Sequence, residues 1–204
     1  MSVDYSDASG IQTMLTEADL LAGALECRFK EERDVTDRLA LEYILSALSR
    51  VILLGRRAEA MVNEKDWLSA SCLLRGKIES LGMLQLFMIK YRFEDSREER
   101  RLALEKFYFS QRAIGDKETS IHVNDGLRSM KKVAPETMRI YDLLCEIVHP
   151  NWLGTVVVTR HIRLDYAKEL AMVNLLLKAF MVAPPVLAGL QKYLGCEPSP
   201  ISAR

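Results

Sequence analysis

Nothing in these 204 residues announces a reaction. There is no G-x-S-x-G, no glycine-rich phosphate loop, no H-E-x-x-H and no dinucleotide-binding glycine fingerprint, so the enzymes recognised by those motifs are not indicated. An excess of charge of either sign is also missing: lysine plus arginine and aspartate plus glutamate number 28 each, so no global field favours nucleic acid, an anionic membrane or an acidic substrate. Cysteine is scarce. Cys27, Cys72, Cys145 and Cys196 are far apart, with no C-x-x-C pair, which excludes a disulfide-dense scaffold. Three of them stand among apolar residues and read as reduced thiols, as expected of a cytoplasmic protein. The start, MSVDYSDASG, carries acids where a secretory signal has bases, and no apolar stretch follows, so no export is expected. No internal repeat, low-complexity tract or linker divides the chain.

What is present suits a helical core. Hydrophobic residues make up 49% and charged residues 27%, ordinary values for a soluble domain with a real interior. Residues 1–34 hold eight acids against Arg28, Lys30 and Arg33, and residues 1–15 are expected to form a flexible acidic arm. Residues 16–195 then form one domain and 196–204 a loose tail. Thr16 can cap a first helix to about Glu32. A second, from about Val35 to Asn63, has Leu39, Tyr43, Leu48 and Ile52 at helical spacing. The short polar Asn63–Asp66 link makes the third helix return antiparallel to it. Ser96 can cap a fourth ending near Gly115, whereas Asn124-Asp125-Gly126 reads as helix or as turn. Pro135 suits the first position of a helix that Pro150 stops at His149. TVVVTRHI, at 155–162, is the one β-branched run and is expected to be extended. The last helix starts near Asp165 and is interrupted at Pro184-Pro185. Ala171–Leu190 is apolar enough to pose a transmembrane question, but Asn174, Lys178 and the two prolines favour a buried helix of a soluble protein. The expected fold is therefore all-α, an antiparallel bundle of about six to seven helices.

The third helix, Asp66 to Tyr91, is apolar almost all the way round and so belongs at the centre. Leu68, Cys72, Arg75, Glu79, Gly82 and Leu86 fall on one strip, which places an arginine and a glutamate within an otherwise apolar seam. They are either a structural ion pair fixing helix register or the floor of a pocket, with Arg75 holding an anionic group. His149 closes a helix and is either held by that helix's terminal carbonyls or turned into a cleft beside Asn151 and Trp152. Arg75, Glu79, His149, Asn151 and Trp152 are the candidate ligand-binding residues.

Other chemistry finds less support. Glu146-x-x-His149 is half of a di-metal bundle motif, but only one copy exists, Glu118 and His122 are four apart, and His161 has no acid nearby; no metal and no cofactor is expected. Cys145 lies four residues before His149, a spacing that permits contact without implying a nucleophile. Between Lys90 and Lys106, arginines alternate with Phe93 and run up to Phe107, Tyr108 and Phe109, yet six bases against five acids cancel the field a phosphate backbone needs, so nucleic acid is not an expected partner.

LLRGKIESLGML in the central helix, followed by YDLLCEIVHPN, resembles a group of bacterial helical proteins distantly similar to the HEPN superfamily, over about residues 66–154. The resemblance implies a helical bundle, commonly dimeric, with the arginine and glutamate of one helix near the histidine that ends another. HEPN ribonucleases carry an arginine ahead of the catalytic histidine with four to six residues between the two. Here those positions hold Asp142, Leu143 and Leu144, and Arg139 is the nearest preceding arginine, so only His149 matches. The expectation is a homodimeric module that binds a small anionic ligand or protein partner. The alternatives are a metal-independent ribonuclease or toxin component using His149, and a purely structural subunit.

Overall fold

The computed structural model describes residues 8–108, 121–149 and 166–195. Among the described residues there are eight α-helices, one short 3₁₀ turn and no strand: α1 (Ala8–Glu31), α2 (Val35–Asn63), α3 (Trp67–Lys90), α4 (Arg97–Tyr108), α5 (Val123–Ser129) running into the 3₁₀ turn Met130–Lys132, α6 (Thr137–Val148), α7 (Tyr166–Phe180) and α8 (Ala183–Tyr193). The expected all-α bundle is observed. The segment expected to be extended, 155–162, lies outside the described residues.

Several helix ends are fixed by side chains that the sequence marks. Asp34 accepts from the backbone N–H of Thr36 and Asp37 to start α2, and Asp66 accepts from Ser69 at 3.1 Å to start α3. Ser96 and Glu99 form a reciprocal capping box ahead of α4. Replacing Asp66 by Ala is expected to lower stability by about 1 kcal/mol, the usual worth of an N-cap, read as a shifted urea midpoint at unchanged slope.

Between α2 and α3 the chain reverses in three residues, with Lys65 at φ 60. The return is antiparallel: the Tyr43 ring stacks on Phe87 near one end, and Leu54 packs under Gly76 further along. α1 is likewise antiparallel to α2, with Gln12 bonded to Glu59 and Arg38 lying over the Phe29 ring. α7 and α8 instead run parallel to α3. Lys65 pairs with Glu169, Lys77 with Phe180 and Tyr91 with Tyr193, so their partners stay in register along the whole length.

α3 is therefore the axis, touching α2, α5, α6, α7 and α8. Trp67, Leu74 and Ile78 on one stripe, and Leu84, Leu86 and Phe87 on others, are all buried, as a helix apolar on several sides requires. Glu169–Tyr193 is long and apolar enough by length and composition to cross a membrane. In the structure it is broken at Met181–Val182, and its inner face, Val173, Leu176, Phe180, Val186 and Leu190, is buried in the core.

Three expectations need correction, and one left open is decided. α1 begins at Ala8, with Ile11, Met14 and Leu15 buried, so the helical domain takes in part of the expected arm, and Thr16 is a mid-helix residue donating to the Gln12 carbonyl at 2.8 Å. Pro135 sits in a turn, and α6 starts two residues later. Asn124-Asp125-Gly126, open between helix and turn in the sequence, is helical, its glycine serving a helix crossing rather than a bend. Cys27 and Cys72 are exposed rather than set in the core, and Cys145 is half-buried.

Candidate functional site

Arg75 and Glu79 lie one turn apart on α3, and the Arg75 Nε–H donates to Glu79 Oε1 at 3.2 Å. From α6 the Tyr141 hydroxyl donates to the same oxygen at 2.7 Å, and the guanidinium carbon stands 5.6 Å from the tyrosine ring centroid. Burial, and then the bond to the Glu79 carboxylate, push the Tyr141 phenol up to about 12, so it remains a donor throughout the neutral range. The cluster is not in the middle of the bundle. The side chains of Arg75 and Glu79 keep 29% and 26% of their surface. The strip predicted as an apolar seam runs from exposed Cys72 through this half-buried pair to buried Gly82 and Leu86, because only its later part is covered by α5.

The pair is only half used. Oε1 of Glu79 takes both bonds and Arg75 gives only its Nε–H, so the second carboxylate oxygen and the two terminal amino groups have no partner among the described residues. Beside Glu79 a cavity of about 320 Å³ opens between α2 and α3, with Tyr43, Ser46, Arg50 and Ser80 as its other polar walls. The arginine facing this cavity is Arg50, from α2, not Arg75. Sequence reasoning missed it because Arg50 is one of several surface bases on a long amphipathic helix, and only the α2–α3 register selects it.

His149 is the C-cap of α6, extended at ψ 146 and exposed, as the following proline required. It stands two helical turns beyond Tyr141, about 12 Å along the axis, and does not join the Arg75–Glu79–Tyr141 bonds. Asn151 and Trp152 lie outside the described residues. Of the arginines considered beside His149, Arg75 pairs with Glu79 through its Nε–H alone, and Arg139 makes an exposed pair with Glu136 at 3.5 Å. Among the described residues no three or more His, Cys, Asp or Glu side chains gather as metal ligands.

The charge that is truly interior is Lys77, on the other side of α3. It has no exposed surface, its ammonium donates to the Phe180 carbonyl at 3.0 Å, and it lies 4.8 Å from the centre of the Phe180 ring. That carbonyl would ordinarily accept from the N–H four residues on, but residue 184 is proline. The lysine thus caps α7 where the backbone cannot. Burial alone drives its amine down to about 7. A second interior network joins four helices: the Tyr91 hydroxyl donates to Asp37 at 2.6 Å, Arg100 pairs with the same carboxylate, and Tyr193 donates to the Tyr91 carbonyl. It holds the ends of α2, α3, α4 and α8 and faces no cavity adjoining the Arg75–Glu79 pair.

Compared with models of protein families, with curated proteins and with solved structures, the chain matches none.

Proposed function

We propose that this chain is a cytoplasmic, dimeric binding module whose small ligand sits beside Glu79, between α2 and α3. The observation that carries the reading is the half-used pair: a carboxylate oriented by Tyr141 and Arg75, with one oxygen free, on the wall of a cavity that a small molecule would fill. Being partly open to solvent, the second oxygen can exchange water for a ligand donor without loss of the bonds that orient the carboxylate. Holding the carboxylate from a second helix also removes the ordering cost a ligand would otherwise meet. His149 has no part in this site.

Ligand-observed NMR against small carboxylates, phosphates, amines and amino acids tests the reading. Hits are expected that vanish in Glu79→Gln and weaken in Arg75→Met, and that persist in His149→Ala. An absence of hits, or hits indifferent to Glu79, overturns it in favour of a structural subunit, for which Arg75→Met with Glu79→Leu should fold equally well and lose nothing.

For the dimer, the outer side of α7 and the α7–α8 corner carry Met181, 54% exposed, with partly exposed Leu175 and Leu177. The HEPN-like resemblance of the central helix and α6 supports the same association. Light scattering is expected to return about twice the 23.2 kDa chain mass, and a monomer at micromolar concentration removes this part.

A further inference from the structure

Resting on that binding reading, we infer that the ligand is a small zwitterion, with its anionic end on Arg50 and its cationic end on the free oxygen of Glu79, joined by a short aliphatic chain. The α2–α3 register carries the argument. Tyr43 against Phe87 and Leu54 against Gly76 place Arg50 opposite Ser80, the neighbour of Glu79. Both side chains line one cavity, yet they make no hydrogen bond or ion pair with each other. Arg50 has no partner among the described residues, so all five of its N–H groups are available. Glu79 has one oxygen uncommitted.

Two opposite charges that face one space without meeting select a ligand by exclusion as well as by attraction. A simple anion held by Arg50 would bring its charge close to the Glu79 carboxylate. A simple cation on Glu79 would meet the Arg50 guanidinium. A molecule with both charges satisfies each wall and leaves neither facing its own sign. The cavity's apolar walls are Ala47, Met83 and Val123, which suit methylene groups rather than further polar atoms. Tyr43 and Ser46 add hydroxyls that can bond to the anionic end. A space of about 320 Å³ is enough for a molecule the size of an amino acid or a short ω-amino acid.

Calorimetric titration of the whole chain with unbranched ω-amino acids from glycine to 6-aminohexanoate, beside pentanoate and pentylamine, tests this. At least one ω-amino acid is expected to bind ten-fold or more tightly than either singly charged compound, and the best chain length reports the separation of the two walls. Arg50→Gln, at an exposed position, and Glu79→Gln should each reduce that compound to the level of the singly charged ones, while His149→Ala leaves it unchanged. Pentanoate or pentylamine binding as tightly as the best ω-amino acid overturns the zwitterion and leaves the binding module standing. So does a failure of the whole series where the NMR screen finds Glu79-dependent hits. Failure of both experiments overturns both.

Discussion

Raising the pH from 7 to about 10 is expected to stabilise this protein by roughly 3 to 4 kcal/mol, and Lys77→Met is expected to abolish the gain. Lys77 titrates at about 7 in the fold against an ordinary 10.5. Between those values the unfolded chain holds a proton that the folded chain has released, so stability rises with pH across that window. Below pH 7 both states are protonated and the burial penalty is present in full. Tyr91 and Tyr193 impose the opposite slope at the alkaline end. Burial pushes both phenols up, so stability falls once unfolded tyrosines begin to ionise near pH 10. Urea denaturation at a series of pH values should therefore show a maximum between about 9 and 10, which disappears in the methionine variant.

The same residue supports a double-mutant test. Lys77→Met removes the charge but leaves the Phe180 carbonyl without a donor, at a cost of about 1 to 3 kcal/mol. Pro184→Ala returns the missing N–H. Lys77→Met should accordingly be worse by about 1 to 2 kcal/mol in the parent chain than in the Pro184→Ala background, and a coupling near zero would mean that the carbonyl never depended on the lysine.

Lys77 also shows where the sequence stops being readable. Its helix was legible as central because apolar residues surround it, and its start at Asp66 follows from capping chemistry. The stop at His149 and the corner near Pro184 are backbone consequences of proline, equally visible in advance. Which side of α3 would be sealed was not visible. Arg75, Glu79 and Lys77 stand within five residues on a helix apolar all round, and periodicity cannot rank the faces of such a helix. The ranking is decided by α7 and α8, which cover the Lys77 side, parallel to α3 and about a hundred residues later in the chain. Arg50 was hidden for a related reason, since its importance depends on the register of α2 against α3. Tyr141 keeps company in the sequence with Ile140, Leu144 and Ile147 of α6, where a phenol passes for a hydrophobe until a carboxylate is found opposite it. The early start of α1 was missed because Ala8-Ser9-Gly10 has weak helix character, and the helix is held by tertiary burial of Ile11, Met14 and Leu15.

Gly126 supplies the second large effect. A Cβ built on Gly82 would lie 2.8 Å from the Gly126 carbonyl carbon and 3.0 Å from the Leu127 nitrogen, and one on Gly126 would lie 2.8 Å from the Gly82 carbonyl carbon. These neighbours are backbone and cannot rotate aside, so an added methyl has to push α5 away from α3. Ser129, whose hydroxyl donates to the Gly126 carbonyl at 2.6 Å, holds the end of α5 beside this crossing. Gly82→Ala or Gly126→Ala is therefore expected to cost about 2 to 3 kcal/mol, in spite of the gain of up to about 1 kcal/mol that alanine brings to a helix by propensity. Gly23 on α1 is the control. No atom lies within 4 Å of its Cβ position, so Gly23→Ala should show the propensity gain alone. If all three substitutions stabilise, the close crossing is not what holds α5. If the pattern is as expected, the consequence reaches the candidate site. Val123, the first residue of α5, closes one side of the cavity beside Glu79, and a displaced α5 should weaken zwitterion binding in Gly82→Ala while Gly23→Ala leaves it intact.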